Sequence, residues 1–399
     1  MSRKYNKGEW SELYAFARLL KEGKMYAADE NVNMIENVYF PILKILREES
    51  ATEEFAYEPG QVIKIFRNDE LIDEISVETV AENAQLLFDK IFEGGATSGA
   101  FEINEIDEFL DSMHVTKIKA SSAEKVDMTL QIHDINTGFS PIVGFSVKSD
   151  VGSPPTLLNA GKNTRIRYEV KGITDDDMRE INAIDSSVSR EYMKERMSEL
   201  CRRGDDIVFD KVKDQVFEDN LILIDSLLPS IFGELVLLHY KIMANGTYDC
   251  ELLIDILSEF NPLGYRQSNV YRYKFKKMLT AAALGMTAGK EWDGYEAATG
   301  GYIIIKKDGD VLCYHLYNRD YFEEYLIRNT QFDRPSATRH DYGYVYKEGE
   351  KYYIDLNIQV RFKSIKSASE IHSDKWNEKA DRVREHARFI YNGEEIDFS

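Results

Sequence analysis

The sequence is poor in cysteine and has no long apolar run. Its three cysteines, Cys201, Cys250 and Cys313, lie far apart and form no CxxC pair, which argues against a disulfide framework and against a structural zinc site. No run of about 18 apolar residues and no basic-then-apolar leader occurs, so neither membrane spanning nor secretion is predicted. We therefore expect a cytoplasmic protein with no membrane partner.

Basic residues are also in short supply. The 399-residue chain carries 50 Lys and Arg against 70 Asp and Glu, a net charge of −20. Such a charge repels nucleic acid, so any phosphate-binding surface must be a local basic patch on an acidic body. Composition by itself points away from DNA.

The hydrophobic pattern predicts mixed secondary structure. Apolar residues recur with helical spacing over residues 8–21, and Gly23 follows, which predicts a helix ending there. Residues 176–260 are typical of acidic helices, and the polar tail after residue 363 of one more helix. β-forming residues predict strands at 62–66, 71–77, 115–120, 126–133, 139–149 and 164–170, and a β-rich region at 301–362 with hairpin turns at 307–310 and 347–350. No repeat or Pro- or Gly-rich linker is present, so we expect two or three tightly joined domains.

One segment reverses the acidic balance. Residues 260–290 contain no Asp or Glu, and aromatic residues interleave with their basic ones. The basic residues that we consider for DNA binding are Arg266, Arg272, Lys274, Lys276 and Lys277. The pattern indicates a surface that holds phosphates, and an amphipathic helix with a basic solvent face explains it equally well.

The segment 126–149 predicts a β-hairpin that carries charged residues at one end. If Asn136 and Thr137 form its turn, Asp127 lies opposite Ser146, and Lys148 lies on the same face as Ser146. A structural ion pair is the usual explanation for one lysine beside one carboxylate. The small, polar residues of the following segment, 149–164, favour contact with a polar ligand instead.

An Asp on one strand, a Lys on the next and a Glu on a preceding helix resemble the PD-(D/E)xK nuclease arrangement. In that arrangement the acids hold Mg²⁺, and the lysine helps to activate the attacking water. Ser146 stands where the second acid would be, so another carboxylate has to approach. Glu12 is the first candidate and Glu9 the second, and ordinary placement in the first turn of a helix is the alternative for both.

Several separated blocks then make the resemblance specific, because together they are similar to the HpaII family of type II restriction endonucleases. The blocks are Lys7-Gly8-Glu9-Trp10-Ser11-Glu12-Leu13, Gly144-Phe145-Ser146-Val147-Lys148-Ser149, Gly152-Ser153-Pro154-Pro155-Thr156-Leu157-Leu158-Asn159-Ala160-Gly161-Lys162, Thr299-Gly300-Gly301-Tyr302-Ile303 and Asn329-Thr330-Gln331-Phe332-Asp333-Arg334-Pro335-Ser336.

The resemblance implies a Mg²⁺-dependent enzyme that cuts double-stranded DNA at a short palindrome, with CCGG as the family's characteristic target. It implies 5′-phosphate and 3′-hydroxyl ends and a cognate DNA methyltransferase in the same restriction-modification system. A palindrome is most simply read by a two-fold homodimer.

The implied fold is α/β, or α+β overall: a PD-(D/E)xK-like core with a mixed sheet flanked by helices, helical insertions and a C-terminal α+β recognition part. We expect the core within residues 1–175, a mostly helical connection at 176–260, DNA recognition at 261–362 and a helical tail at 363–399.

The family pattern assigns roles to four residues. Asp127 would ligate the metal, Lys148 would position the attacking water, Ser146 would occupy the middle position, and Glu12 would complete the metal shell. Asp134 is a rival ligand, but its place beside the turn favours a local hydrogen bond.

Two segments could read bases, because Arg suits guanine and Asp or Glu suits cytosine. In the first, which adjoins the hairpin, the candidates are Asp150, Asn159, Lys162, Asn163 and Arg165. In the second they are Arg334, Ser336, Thr338 and Arg339. Exposed ion pairs of Arg334 and Arg339 with Asp333 and Asp341 are the structural alternative.

Two other functions remain open from the sequence. One is a non-cutting DNA-binding or methylation-sensing protein that lost an acid at position 146, against which the presence of Lys148 counts. The other is an acidic interaction protein or DNA mimic, against which the acid-free segment 260–290 counts.

Overall fold

The computed structural model describes residues 3–93, 99–117, 126–135, 137–151, 154–187, 189, 191–242, 248–267, 269–363 and 374–392. The helices are α1 (Lys7–Glu22), α2 (Val77–Glu93), α3 (Asp107–Ser112), α4 (Asp175–Ala183), α5 (Tyr192–Arg203), α6 (Gln215–Ile224), α7 (Leu228–Lys241), α8 (Cys250–Phe260), α9 (Val270–Leu284), α10 (Arg319–Asn329), α11 (Ala337–His340) and α12 (Asp374–Asn392), with 3₁₀ turns at Asn104–Ile106 and Leu316–Asn318.

The strands are β1 (Lys4–Tyr5), β2 (Lys24–Ala28), β3 (Met34–Ser50), β4 (Glu53–Glu58), β5 (Val62–Arg67), β6 (Glu70–Ser76), β7 (Phe101–Glu102), β8 (Met128–Ile132), β9 (Ile142–Ser149), β10 (Thr156–Leu158), β11 (Arg165–Lys171), β12 (Asp206–Val212), β13 (Tyr248–Asp249), β14 (Gly301–Ile305), β15 (Val311–His315), β16 (Thr330–Asp333), β17 (Val345–Glu348), β18 (Lys351–Asn357) and β19 (Gln359–Phe362).

Helix α1 forms where the sequence predicts it. Asn6 and Glu9 make a reciprocal capping box at its start, and Gly23 ends it with a left-handed φ of 62°. Its apolar face, which includes Trp10 and Leu13, is buried in the same core as the strands that follow.

The first compact unit comprises residues 1–155 and 295–325. Its sheet has nine strands in the order β2-β15-β14-β9-β8-β3-β4-β5-β6. The pairs β9–β14 and β2–β15 are parallel and the others antiparallel, so the sheet is mixed. Buried residues of α1 and α2 join those of the sheet in one core. The mixed sheet and its helices agree with the predicted α/β class.

The long strand β3 makes the sheet turn back on itself. Its first half pairs with β2, where Met25 lies opposite Phe40, and its second half pairs with β8, where Leu130 lies opposite Ile45. The register shifts between Ile42 and Lys44, as a bulge requires. Because β3 pairs with both β2 and β8, the six strands β2, β15, β14, β9, β8 and β3 form a closed ring.

The second compact unit comprises residues 156–294 and 326–399. It contains two four-stranded sheets, ordered β10-β19-β16-β13 and β12-β11-β18-β17, together with helices that include α7, α8 and α9. Among the described residues of 176–260 most are helical, apart from β12, β13 and the connections. The hairpin turn at 347–350 is confirmed, and α12 covers 374–392 of the predicted tail helix. Strand 115–120 was predicted, but residues 115–117 are not in a strand and 118–120 lie outside the described residues.

The two units divide the chain differently from the four predicted parts. Strand β11, expected in the N-terminal part, pairs with β12 and β18 in the second unit. Strands β14 and β15, expected in the recognition part, join the sheet of the first unit. The reason is that pairing between strands distant in sequence leaves no local signal in the sequence pattern.

The three cysteines are unpaired, as expected. Within the described residues no single helix is long and apolar enough to cross a bilayer; α6 and α7 would reach that length only together, and they are bent by 112°.

Candidate active site

Strands β8 and β9 bring an acid and a lysine to the same end of a hairpin. Met128 lies opposite Phe145, and the Asp127 backbone N–H donates to the Phe145 carbonyl oxygen at 2.9 Å. Asp127 therefore lies opposite Ser146, which confirms the register expected from the turn. Asn136, at that turn, lies outside the described residues.

The three polar side chains form a continuous hydrogen-bonded chain. The Ser146 hydroxyl donates to Asp127 Oδ2 at 3.0 Å, and Lys148 Nζ donates to Ser146 Oγ at 2.8 Å. The Val147 backbone N–H donates to the same carboxylate oxygen at 2.7 Å. Lys148 Nζ lies 3.8 Å from Asp127 Oδ2, so the serine bridges the ion pair. The side chains of Lys148 and Asp127 are 25% and 22% exposed, which leaves them open to a ligand.

Helix α1 adds a second carboxyl group to this cluster. Burial, and next the negative charge of Asp127, raise the pKa of Glu12 to about 8, while the charge of Lys148 opposes the shift. Glu9 serves the helix, because its carboxylate accepts from the Asn6 backbone N–H at 2.8 Å. The alternative of ordinary first-turn placement therefore describes Glu9 better than Glu12.

A tyrosine that sequence reasoning did not single out completes the cluster. Tyr302 lies opposite Ser146 in the parallel pairing of β14 with β9 and is 1% exposed. Lys148 Nζ lies 5.5 Å from the centroid of its ring. The signal was present in the block Thr299-Gly300-Gly301-Tyr302-Ile303, which had no role assigned to it.

Two glycines explain how β14 comes so close to its neighbours. A Cβ atom on Gly300 would lie 2.6 Å from the Phe145 ring. Gly301 has a φ of 114°, and a Cβ there would lie 2.0 Å from the Tyr314 carbonyl oxygen. A side chain at either position would push β14 away, so the glycine pair places Tyr302 beside β9.

The donor set of the cluster fits a hard divalent cation. Asp127 and Glu12 offer carboxylate oxygens, which Mg²⁺ prefers, and Mg²⁺ usually takes only one or two carboxylates and keeps water or substrate oxygens as its other ligands. Among the residues that the structure describes, no group of three or more His, Cys, Asp and Glu side chains could hold a metal ion. A site here would therefore depend on oxygen atoms of the substrate as well.

Comparisons with known proteins establish the family. The family described as "HpaII restriction endonuclease" matches residues 6–362. The chain is also 39% identical over 362 residues to the Type II restriction enzyme HpaII of Haemophilus parainfluenzae. The aligned region covers 90% of this chain and 98% of that protein. The chain belongs to the HpaII restriction endonuclease family. No solved structure matches it significantly.

Membership of the HpaII family makes the chain a site-specific type II endonuclease of a restriction-modification system, with DNA as its substrate. The non-cutting reader and the acidic interaction protein, which the sequence left open, are therefore not retained.

A HpaII-family enzyme has to bind DNA as well as cut it, and the candidates after the hairpin differ in exposure. Asp150 is 5% exposed and lies 3.5 Å from Lys307, so it is poorly placed to accept from a cytosine. Asn163 Nδ2 donates to Asp214 Oδ2 at 2.6 Å, next to the start of α6. Asn159 and Lys162 are exposed. Arg165, at the start of β11, is half-buried, and Gly152 and Ser153 lie outside the described residues.

Most basic residues of segment 260–290 lie in helix α9, and two acids of the second unit, Glu251 in α8 and Asp225 just after α6, neutralise part of their charge. Arg272 lies 3.1 Å from Glu251 Oε1, and Lys274 pairs with Asp225. These two side chains are therefore paired with acids, which neither a phosphate-holding surface nor a basic solvent face predicted. The remaining candidates are Arg266, which is exposed, and Lys276 and Lys277, which are half-buried.

The segment after β16 keeps two arginines available. Asp333 pairs with Arg361 at 3.0 Å and accepts from Gln359 at 2.7 Å. Among the described residues, neither Arg334 nor Arg339 forms a side-chain ion pair within 4.0 Å, so the predicted pairing with Asp333 and Asp341 is absent. Arg334 is half-buried and Arg339 exposed.

Two polar neighbours of these arginines differ in their availability. Ser336 and Thr338 are both exposed, but the Ser336 hydroxyl accepts from the Arg339 backbone N–H at 3.3 Å and caps α11. At the turn of the hairpin β8–β9, Asp134 accepts from the Thr137 hydroxyl at 2.6 Å and is 1% exposed, which confirms its local hydrogen bond.

Proposed function

We propose that this enzyme hydrolyses phosphodiester bonds of double-stranded DNA at a short palindrome, CCGG, in a Mg²⁺-dependent reaction that leaves 5′-phosphate and 3′-hydroxyl ends. The observation that supports this most is the hydrogen-bonded chain from Asp127 through Ser146 to Lys148, with Glu12 beside it. The arrangement has the residue types of a PD-(D/E)xK nuclease, with serine at the middle position.

Asp127 and Glu12 would hold the metal. When bound, Mg²⁺ supplies positive charge that stabilises the non-bridging oxygens of the scissile phosphate. Asp127 Oδ2 is already oriented by the Val147 backbone N–H and the Ser146 hydroxyl, so its other oxygen is the one available to a cation. Glu9 is left out of the proposed site, because capping α1 occupies its carboxylate.

Lys148 is the group that acts on the attacking water. Its ammonium is held by Ser146 Oγ and by the Val147 carbonyl oxygen, to which it donates at 3.2 Å. An ammonium fixed in this way can orient a water for in-line attack, and its charge stabilises hydroxide and the anionic transition state.

Base reading is assigned to the segment after β16 in the second unit. Arg334 and Arg339 carry guanidinium groups that no acid within the described residues neutralises at ion-pair distance, and Arg is the residue best suited to the O6 and N7 atoms of guanine. Thr338, Asn159, Lys162, Arg165, Arg266, Lys276 and Lys277 would contribute phosphate or sugar contacts.

A homodimer would read the two halves of the palindrome symmetrically. A cognate methyltransferase would protect the host DNA, and both enzymes would act in the cytoplasm, where bacterial DNA lies.

The test is digestion of an unmethylated plasmid with purified protein, in Mg²⁺ and in EDTA, followed by sequencing of the ends. We expect discrete, Mg²⁺-dependent ends that share CCGG, and no cutting of the same plasmid after methylation of its CCGG sites. Ends that share another palindrome would overturn the proposed target alone. Cutting in EDTA would overturn the metal dependence.

A further inference from the structure

The segment between β16 and β17 carries the proposed base readers Arg334 and Arg339, and a buried tyrosine fixes it from inside. Tyr342 is 2% exposed, and its hydroxyl donates to the Pro335 carbonyl oxygen at 2.6 Å. This bond closes a loop of backbone that contains α11. Because Pro335 follows Arg334 directly, holding the Pro335 carbonyl also restricts the backbone that carries the Arg334 side chain.

The direction of this hydrogen bond follows from its partners. A phenol has one proton and a backbone carbonyl oxygen only accepts, so the proton of Tyr342 goes to Pro335. Tyr240, on α7, shares its own proton between Tyr342 Oη at 3.0 Å and the Asn357 carbonyl oxygen at 2.7 Å. Tyr342 is therefore held in turn by α7, and its hydroxyl cannot rotate away from Pro335 without losing both bonds.

The backbone is anchored on both sides of Arg334. Before it, Asp333 lies opposite Gln359 in the pairing of β16 with β19, and after it Tyr342 holds Pro335. Arg334 Nη1 is buried and has no hydrogen-bond acceptor among the residues that the structure describes. A buried donor without an acceptor is unfavourable, so an acceptor that a ligand brings to this guanidinium stabilises it.

The far end of the segment is held as well. The Gly343 backbone N–H donates to the Asp355 carbonyl oxygen at 2.9 Å, and the Gly343 carbonyl oxygen accepts from Arg196 Nη1 at 2.8 Å. Arg196, on α5, is 0% exposed. These contacts order the segment without DNA, so little conformational entropy is lost there when DNA binds.

We propose that Tyr342 is a positioning residue for base reading, whose hydrogen bond to Pro335 holds Arg334 in the orientation in which it meets DNA. The proposal rests on the proposed role of Arg334 in reading guanine, and it gives Tyr342 no contact with DNA. Without the phenol hydroxyl, the Pro335 peptide can rotate, and DNA binding then has to order Arg334. A base contact is sensitive to such movement, whereas phosphate contacts elsewhere on the protein are unaffected.

The test compares Tyr342→Phe with Tyr168→Phe in the full-length protein. Both changes remove a buried hydroxyl that donates to a backbone carbonyl oxygen in the second unit, and Tyr168 donates to Gly233 at 2.7 Å. Affinities for a CCGG duplex and a scrambled duplex are measured in Ca²⁺. We expect Tyr342→Phe to weaken binding to the CCGG duplex roughly three- to tenfold, the range of one lost hydrogen bond, and to leave the scrambled duplex unchanged. Tyr168→Phe should bind both as the wild type does.

A double-mutant cycle separates positioning of Arg334 from a general effect on folding. Wild type, Tyr342→Phe, Arg334→Ala and the double variant are compared on the CCGG duplex at a temperature where circular dichroism shows all four folded. Because Tyr342 acts through Arg334, the double variant should bind no more weakly than Arg334→Ala. Losses that multiply would overturn the proposal, as would an equal loss of affinity in Tyr168→Phe.

The same measurements distinguish this inference from the proposed function. If Arg334→Ala weakens specific binding and Tyr342→Phe does not, the role of Tyr342 is overturned and the proposed function stands. If the wild type binds the CCGG duplex no better than the scrambled one, the proposed target is overturned. If Arg334→Ala retains full specificity, the proposed role of Arg334 is overturned, and the inference falls with it.

Discussion

The hairpin β8–β9 and the helix α9 both carry charged residues that suggested contact with DNA, yet these side chains have different kinds of partners in the structure. In the hairpin, Asp127, Ser146 and Lys148 contact one another across adjacent strands. In α9, Arg272 pairs with Glu251 of α8, and Lys274 pairs with Asp225, just after α6. Side chains of different chemistry that meet at one point indicate a candidate active site. A run of like charges, by contrast, is often neutralised by acids elsewhere in the same protein.

The largest effect is expected from the acid of the hairpin. Asp127→Ala removes a proposed metal ligand and should lower the cleavage rate by at least about 10³-fold, while specific DNA binding remains measurable. Rates are measured under single-turnover conditions and binding by gel retardation. Asp308→Asn, a change in the turn between β14 and β15 at a side chain that is 57% exposed, should cut normally. Full activity of Asp127→Ala would overturn the site assignment.

The second largest loss of cleavage rate is expected from replacing the lysine of the hairpin. Lys148→Met removes the ammonium and keeps the aliphatic stem, and we expect a rate loss of roughly 10²- to 10³-fold with little change in DNA affinity. Lys307→Met is the matched control, since Lys307 pairs with Asp150 at 3.5 Å in the same unit. Equal losses in both variants would mean that charge near the sheet matters and that the position of Lys148 does not.

The two glutamates of α1 offer a sharper comparison, because they lie one turn apart. Glu12→Gln should slow cleavage by about 10²-fold and raise the Mg²⁺ concentration needed for half-maximal rate, since one carboxylate ligand is lost. Glu9→Gln should change neither rate nor melting temperature, because glutamine can still cap the helix. A metal titration of both variants decides which glutamate serves the site, and the opposite ranking would restore Glu9 as the ligand.

The smallest effects are expected in the second unit. Arg339→Ala should weaken binding to a CCGG duplex by about ten- to a hundredfold and reduce discrimination against a scrambled duplex, as loss of a base contact does. Arg272→Ala should weaken DNA binding only a few-fold, because Glu251 already neutralises that guanidinium. Fluorescence anisotropy at two salt concentrations measures both. If Arg272→Ala had the larger effect on both duplexes, α9 would be the DNA-binding element after all.

Much of the hairpin β8–β9 could be predicted, because strands joined by a short turn pair in a register set by that turn and by the alternation of their side chains. The helix α1 could likewise be predicted from local sequence, and it contains Glu12, the first candidate for the second acid. The structure then separated Glu12 from Glu9 by their surroundings, which helical spacing alone does not reveal.

The position of Tyr302 and the membership of β14 in the nine-stranded sheet could not be predicted by the same reasoning. The Gly144 N–H donates to Thr299 Oγ1 across 155 residues of sequence. No short turn sets the register of parallel strands that lie so far apart in the sequence. The motif around Gly300 and Gly301 also does not indicate which strand β14 pairs with.

The sequence by itself determined the elements and the chemistry they carry: a capped helix with two acids, a hairpin with Asp127 facing Ser146 and Lys148, and the family to which these blocks belong. These are local properties, set by periodicity, caps and turns. Only the tertiary structure decided which basic residues are paired with acids and that Tyr302 borders Ser146 and Lys148. Those contacts join segments far apart in the chain, and they exist only when the core is packed.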